Sequence, residues 1–262
     1  MKSLWYNKAM LGKKRGFTMI EVALFLAVTG ALFAGVTVGV QNSIFQQRYN
    51  DSVQNFAEFL RTSYAESMNV QGVGNGRSDT IIYGKLIVFS TNDNGSRNDI
   101  IKYDLVGNEG DISSGEGLLK ALEELNVGVV HDRKVGMMDT YTPRWSSSIE
   151  KACNGSECEY VPFVGAVLIV RHPRSGATFT YVTDVNIISY VDANINEGSS
   201  ISWDDVVELG FKKEEVNFCI NPTAGEARSN RRDVKIVRGA RNGSGVEIVA
   251  DEGEHNKCVK QE

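Results

Sequence analysis

The sequence predicts an α+β chain in which one long amino-terminal helix, membrane-spanning in its first half, is packed on a β-rich globular head. Three observations carry this reading. Residues 22–40 hold no charge, apolar residues then recur every three or four positions as far as Met68, and the rest of the chain alternates strand-like runs with Gly-, Asn- and Ser-rich turns. At 262 residues, 42% hydrophobic and 23% charged, the chain is long enough to bury a core and close to the globular average, which excludes global disorder.

Residues 1–16 carry Lys2, Lys8, Lys13, Lys14 and Arg15 and no acid, so their loss takes the formal charge from −5 to −10. An acidic chain argues against nucleic acid as a partner of the whole surface and leaves only a local basic patch for that role. The cations ahead of the apolar run hold their end on the cytoplasmic side of a membrane and send everything after residue 40 across it. Taken with residues 17–20, the run from Val22 to Val40 meets the roughly 20 residues that a helix needs to cross a bilayer.

No clean Ala-x-Ala cleavage pattern follows this run. An uncleaved signal anchor explains the charge and the apolar run equally well, yet it gives no reason for Glu21. An acid set among Met19, Ile20, Val22, Ala23 and Leu24 is costly in a membrane and calls for a cationic partner.

The stretch Lys13-Lys14-Arg15-Gly16-Phe17-Thr18-Met19-Ile20-Glu21-Val22-Ala23-Leu24 resembles the processing signal of type IV pilins and type II secretion pseudopilins. The resemblance implies that a prepilin peptidase cuts between Gly16 and Phe17 and that Phe17 is then N-methylated. Glu21 becomes the fifth residue of the mature chain and pairs with the amino-terminus of a neighbouring subunit, which meets its need for a cation in low dielectric. The chain then divides into a leader at 1–16, a helix at 17–69 with its membrane segment at 17–40, and an extracytoplasmic head at 70–262. Its implied partners are other pilin or pseudopilin subunits, the peptidase, the inner-membrane assembly platform and the membrane. Its implied location is the inner membrane as a single-pass precursor, then a periplasmic or extracellular filament.

The chain departs from the major-pilin pattern in having no proline in the apolar segment, where Gly30, Gly35 and Gly39 stand instead. The Gly35-x-x-x-Gly39 spacing suits close helix packing, while glycine is also simply common in membrane helices.

Beyond Val40, Phe45, Tyr49, Val53, Phe56, Leu60, Tyr64 and Met68 form an apolar stripe, which predicts that the same helix continues to about Asn69. The glycines at 72, 74 and 76 break it. Strand signals follow at 80–90, 99–106, 126–131, 160–171, 177–190, 216–220, 233–237 and 246–250. Two short helices are expected among them, at 116–125 with Ser114 as a cap and at 203–209 between Ser202 and Gly210.

Cys153, Cys158, Cys219 and Cys258 all lie far beyond the apolar run, where an oxidising compartment favours two disulfides. Three pairings exist, and Cys153–Cys158 with Cys219–Cys258 is favoured because the short Asn-Gly-containing loop closes easily. A zinc site is the rival reading, against which stand the lack of a CxxC pair and the scatter of His131, His172 and His255. No metal site is assigned. Asn94, Asn154 and Asn242 each open an Asn-Gly-Ser sequon, which reads better as a turn. Asp93, Asn94 and Asp99 offer oxygen ligands for calcium, as loops in some pseudopilins do, but without EF-hand spacing.

Near the carboxyl end, residues 228–241 hold Arg228, Arg231, Arg232, Lys235, Arg238 and Arg241 against Asp233 alone. With Val246-Glu247-Ile248, this region resembles the terminal hairpin of H-type pseudopilins and FimT-like minor pilins, some of which bind DNA through Gly-Arg-x-Arg. Here the matching tetrad is Gly225-Glu226-Ala227-Arg228, with glutamate at the first arginine position. Arg228, Arg231, Arg232 and Lys235 are therefore candidate phosphate contacts, and a solvated or subunit-contact face is the alternative. No aromatic residue lies within the stretch to stack bases.

No catalytic motif or cofactor signature is present, so no enzyme activity, catalytic residue or cofactor is expected. The expected function is that of a structural minor pilin or pseudopilin. The alternatives are a DNA-binding minor pilin for DNA uptake and an unprocessed membrane-anchored adhesin.

Overall fold

Helix α1 runs from Met19 to Met68 without a break. In this computed structural model the described residues are 16–69, 80–91, 98–108, 110, 118–130, 139–152, 162–187, 208–221, 232–249 and 258. The chain forms two compact units that divide between Gln47 and Arg48.

In the first unit α1 exposes its large apolar side chains, from Met19, Leu24 and Phe25 through Phe33 to Phe45. The helix is long and apolar enough to cross a membrane. Its threonines fit that solvent: Thr29 Oγ1 donates to the Phe25 carbonyl at 2.7 Å and Thr37 Oγ1 to the Phe33 carbonyl at 2.8 Å. Both hydroxyls are thus satisfied within the helix, as a hydrocarbon environment requires.

In the second unit the strands are β1 (Thr80–Thr91), β2 (Asn98–Asn108), β3 (Gly128–Val130), β4 (Asp139–Tyr141), β5 (Ser148–Lys151), β6 (Gly165–Arg171), β7 (Thr178–Thr183), β8 (Val216–Asn221), β9 (Arg232–Ile236) and β10 (Val246–Val249), with α2 (Leu118–Glu124) after β2. They make two antiparallel sheets. The larger has the order β3-β2-β1-β6-β7, with β4 also paired to β2, and the smaller has the order β10-β9-β8-β5. β3 pairs with β2 at Asp104–Val106 and β4 with it at Ile100–Lys102, so the two short strands share one edge.

The larger sheet is buried on both faces, which explains why β1 reads as a nearly continuous apolar run rather than an alternation. One face presents Ile87, Phe89, Ile100, Val167, Ile169 and Val182 to Val53, Phe56, Ala57, Leu60 and Tyr64 of α1 and to Phe218, Ile220, Val234 and Ile236 of the smaller sheet. Aromatic rings fill the centre: Phe218 lies 5.1 Å from Phe89, 5.4 Å from Phe56 and 5.0 Å from Phe163. The other face presents Leu86, Val88, Tyr103, Leu105, Leu168 and Val170 to Leu122, Leu125, Val127 and Ile187. Asn126 ends α2 in the left-handed conformation at φ 48°, a position that asparagine tolerates.

Gly84 is fixed by backbone proximity. It follows a bulge at Tyr83 in β1, and a Cβ there would run into the Ile169 carbonyl oxygen of β6.

Several boundaries differ from the sequence expectation. α1 begins at Met19 rather than Phe17 and ends at Met68. The strand expected at 160–171 starts at Gly165, with Pro162 making only an isolated bridge to Glu150; proline lacks the N–H that a ladder needs. The strand expected at 177–190 ends at Thr183, and that expected at 126–131 spans only Gly128–Val130. β4 and β5 were not anticipated, because three- and four-residue strands carry too little periodicity to register. Of the helix expected at 203–209 only Glu208, which is helical, and Leu209, in the turn after it, are described, and the Ser114 cap, the Asn94 and Asn154 turns and the Asp93–Asn94 calcium ligands lie outside the described residues. Asn242 does sit in a turn, where its Oδ1 accepts from the Ser244 N–H at 3.0 Å.

Candidate functional site

At the start of α1 Thr18 and Glu21 are joined by three hydrogen bonds. The Thr18 N–H donates to Glu21 Oε2 at 2.8 Å, the Thr18 hydroxyl donates to the same oxygen at 2.9 Å, and the Glu21 N–H points back to Thr18 Oγ1 at 3.3 Å. This is a capping box, and it explains why the helix starts after Thr18. Its Thr-x-x-Glu spacing is legible in the sequence. Both Thr18 bonds fall on Oε2, and the Glu21 side chain is exposed. Gly16 and Phe17 precede the helix in irregular backbone, with Phe17 84% exposed.

From Val22 to Gln47 no charged residue follows Glu21. Among the described residues before Arg48, Glu21 is thus the sole ionic group on an exposed apolar surface, one turn from the bond between Gly16 and Phe17. Helix N-termini favour a negative charge, so the cap and the macrodipole both suit a carboxylate here.

The basic terminal region becomes a hairpin in which β9 and β10 pair antiparallel, with Glu247 directly opposite Lys235. Lys235 Nζ lies 3.2 Å from the Glu247 carboxylate, so an acid on the neighbouring strand already answers its charge. Arg232 is half-buried, and its backbone N–H donates to the Tyr49 hydroxyl, which itself donates to the Ile220 carbonyl at 3.0 Å. Tyr49 of α1 thereby closes the end of the β8–β9 ladder. Arg238 and Arg241 are exposed in the turn that joins β9 to β10. Arg228 and Arg231 lie outside the described residues. Of the four candidate phosphate contacts, Lys235 thus has an acid beside it and Arg232 is held through its backbone N–H.

Cys219 and Cys258 are joined in a disulfide and buried, which removes both from consideration as thiolate ligands for zinc. Cys153 and Cys158 lie outside the described residues.

A charged cluster that the sequence analysis missed ties α1 to the larger sheet. Glu66 Oε2 accepts from Lys102 Nζ at 2.9 Å and lies 3.1 Å from Lys85 Nζ. Lys85 also pairs with Asp104, its register partner on β2, and Lys102 with Asp139 of β4 at 3.3 Å. Burial pushes the Glu66 carboxyl up, but the Lys102 hydrogen bond and the charges of Lys85 and Lys102 outweigh it and hold the group below its usual range. The available signal was Lys85 standing within an otherwise apolar strand. The chain matches no protein-family model, no curated protein and no solved structure.

Proposed function

We propose that the chain is a filament subunit of the type IV pilin and pseudopilin kind, made as a precursor, cut between Gly16 and Phe17 and N-methylated at Phe17. The observation that carries this reading is the exposed apolar helix whose only charge before Arg48 is Glu21, placed one turn after a Lys-Lys-Arg-Gly-Phe sequence. Before cleavage the cationic leader sets orientation in the inner membrane. Cleavage creates an ammonium at Phe17. In the assembled filament a neighbour's ammonium pairs with Glu21 and offsets the cost of an acid in low dielectric. The second unit is carried outside the cytoplasm, in keeping with its disulfide.

Mass spectrometry of chain recovered from a host that expresses a prepilin peptidase tests the proposal. A mature chain that begins at Phe17 and carries one added methyl group supports it. An intact Met1, or a start at any other residue, removes its basis.

A further inference from the structure

Trp145 adopts φ 57° and ψ 31°, the left-handed region that a bulky residue rarely occupies. The turn is fastened from the residue before it. The Arg144 carbonyl accepts from the Ser147 N–H at 3.1 Å, from Ser147 Oγ at 2.8 Å and from Ser52 Oγ of α1 at 3.3 Å. The two hydroxyls also meet each other, and with one proton apiece Ser147 donates to the carbonyl while Ser52 donates either to Ser147 Oγ or to the carbonyl, so the helix and the β4–β5 connection hold the turn jointly. The conformation leaves Trp145 52% exposed rather than seated in the core. Over its ring, 4.8 Å from the centroid, lies the guanidinium of Arg48, itself exposed. A strained backbone that presents a large aromatic to the outside points to a contact.

The position of Arg48 along the chain identifies the partner. It is the first charged residue after Glu21 and therefore ends the uncharged run at 22–47. It stands eight positions after Val40, so whatever the course of the chain between them, Arg48 lies within about 29 Å of the end of the apolar segment. Tryptophan and arginine are the side chains that suit a membrane–water boundary. The indole has an apolar body with a polar edge, and the guanidinium binds phosphate oxygens in pairs while its stem stays among apolar groups.

We propose that Trp145 and Arg48 form a second membrane contact, in which the indole enters the headgroup–acyl boundary and Arg48 takes a phospholipid phosphate. The contact holds the Arg48–Glu262 unit at the bilayer surface while the chain awaits assembly. It rests on the reading that the apolar run spans a membrane.

The test uses the full chain with Trp5→Phe and Trp203→Phe, so that Trp145 is the sole indole, reconstituted at high dilution into vesicles of phosphatidylcholine and phosphatidylglycerol. Lipids brominated just below the ester groups should quench Trp145 to about half its emission, as expected of an interfacial indole. Arg48→Glu should restore most of that emission. A parallel chain with Phe33→Trp and Trp145→Gly reports the span itself, and glycine accepts the left-handed backbone at 145 without strain.

Quenching at Phe33→Trp without quenching at Trp145 overturns the second contact and leaves the span intact. Failure at both sites overturns the membrane-spanning reading and the contact together. Trp145 emission that shifts with protein density but not with brominated lipid assigns the surface to a second copy of the chain and overturns the lipid contact. Unchanged quenching in Arg48→Glu overturns the role of Arg48.

Discussion

Glu66 of α1 accepts a hydrogen bond from Lys102 of β2 at 2.9 Å, so the last turns of the long helix are tied to the sheet by charge as well as by packing. Lys102 is 5% exposed and Lys85 is 6% exposed, which makes both expensive to leave without their acids. We predict that Glu66→Gln costs about 2 kcal/mol at neutral pH, the scale of a hydrogen bond to a charged group. A carboxyl held below its usual range contributes stability that is full above the free value of about 4.3 and lost as pH falls through the lower folded value. The gap between the native chain and Glu66→Gln should therefore close in acid. Denaturant midpoints of the detergent-solubilised full chain, measured across that range, check it. A gap that persists below the folded value would contradict the assignment.

Tyr64 is buried, and its hydroxyl lies 2.7 Å from Thr180 Oγ1. Thr180 donates to the Ala240 carbonyl at 2.9 Å, so in this chain of bonds Tyr64 is the donor to Thr180. Burial pushes the phenol up to about 12. The neutral form favoured by the fold gives stability that is complete below the free value of about 10 and lost as pH rises toward the folded value. We predict that Tyr64→Phe costs about 1 kcal/mol at neutral pH and flattens the alkaline decline. Tyr141, also pushed up to about 12 by burial, keeps part of the slope in that variant. Equal alkaline profiles for the two chains would count against the burial account.

The Cys219–Cys258 bridge spans 39 residues, a stretch that contains β9 and β10. A loop of that length is worth about 4 kcal/mol in the chain-entropy account of disulfides. We predict that Cys258→Ser lowers the stability of the full chain by about that amount, read as a lower denaturant midpoint with a steeper slope, since the unfolded chain freed of the crosslink exposes more surface. A shift no larger than that of an exposed serine substitution would show that the terminal segment is held by other contacts.

Mutation separates the helix cap made by Glu21 from the filament pairing proposed for it. Thr18→Ala removes the threonine hydroxyl from the cap and leaves the carboxylate, whereas Glu21→Ala removes the charge and the two bonds the carboxylate accepts but keeps the backbone N–H bond to Thr18 Oγ1. We predict that Thr18→Ala is still incorporated into filaments and Glu21→Ala is not, as seen by fractionation of sheared filaments from membranes. Equal loss in the two variants would reduce Glu21 to a helix cap.

The apolar run, the cationic leader, Glu21 and the stripe from Tyr49 to Tyr64 were legible because their signals are local: charge, hydropathy and helical period all lie within a few turns of chain. Most strands were legible for the same reason, as β1 and β6 are continuous apolar runs. Pairings were not. Nothing near Lys85 or Glu66 announces that they meet Lys102, Asp104 and Asp139, and nothing near Trp145 announces its exposure beside Arg48.

The sequence by itself determined that a charge-free helix of membrane length precedes a β-rich unit, because hydrophobicity and period act residue by residue. Only the tertiary structure decided that Lys235 meets Glu247, that Arg232 is capped by Tyr49 and that Glu66 holds two buried lysines. Those outcomes depend on strand register and on the packing of α1 across the sheets, which bring together residues far apart in the chain and decide which charges are already answered.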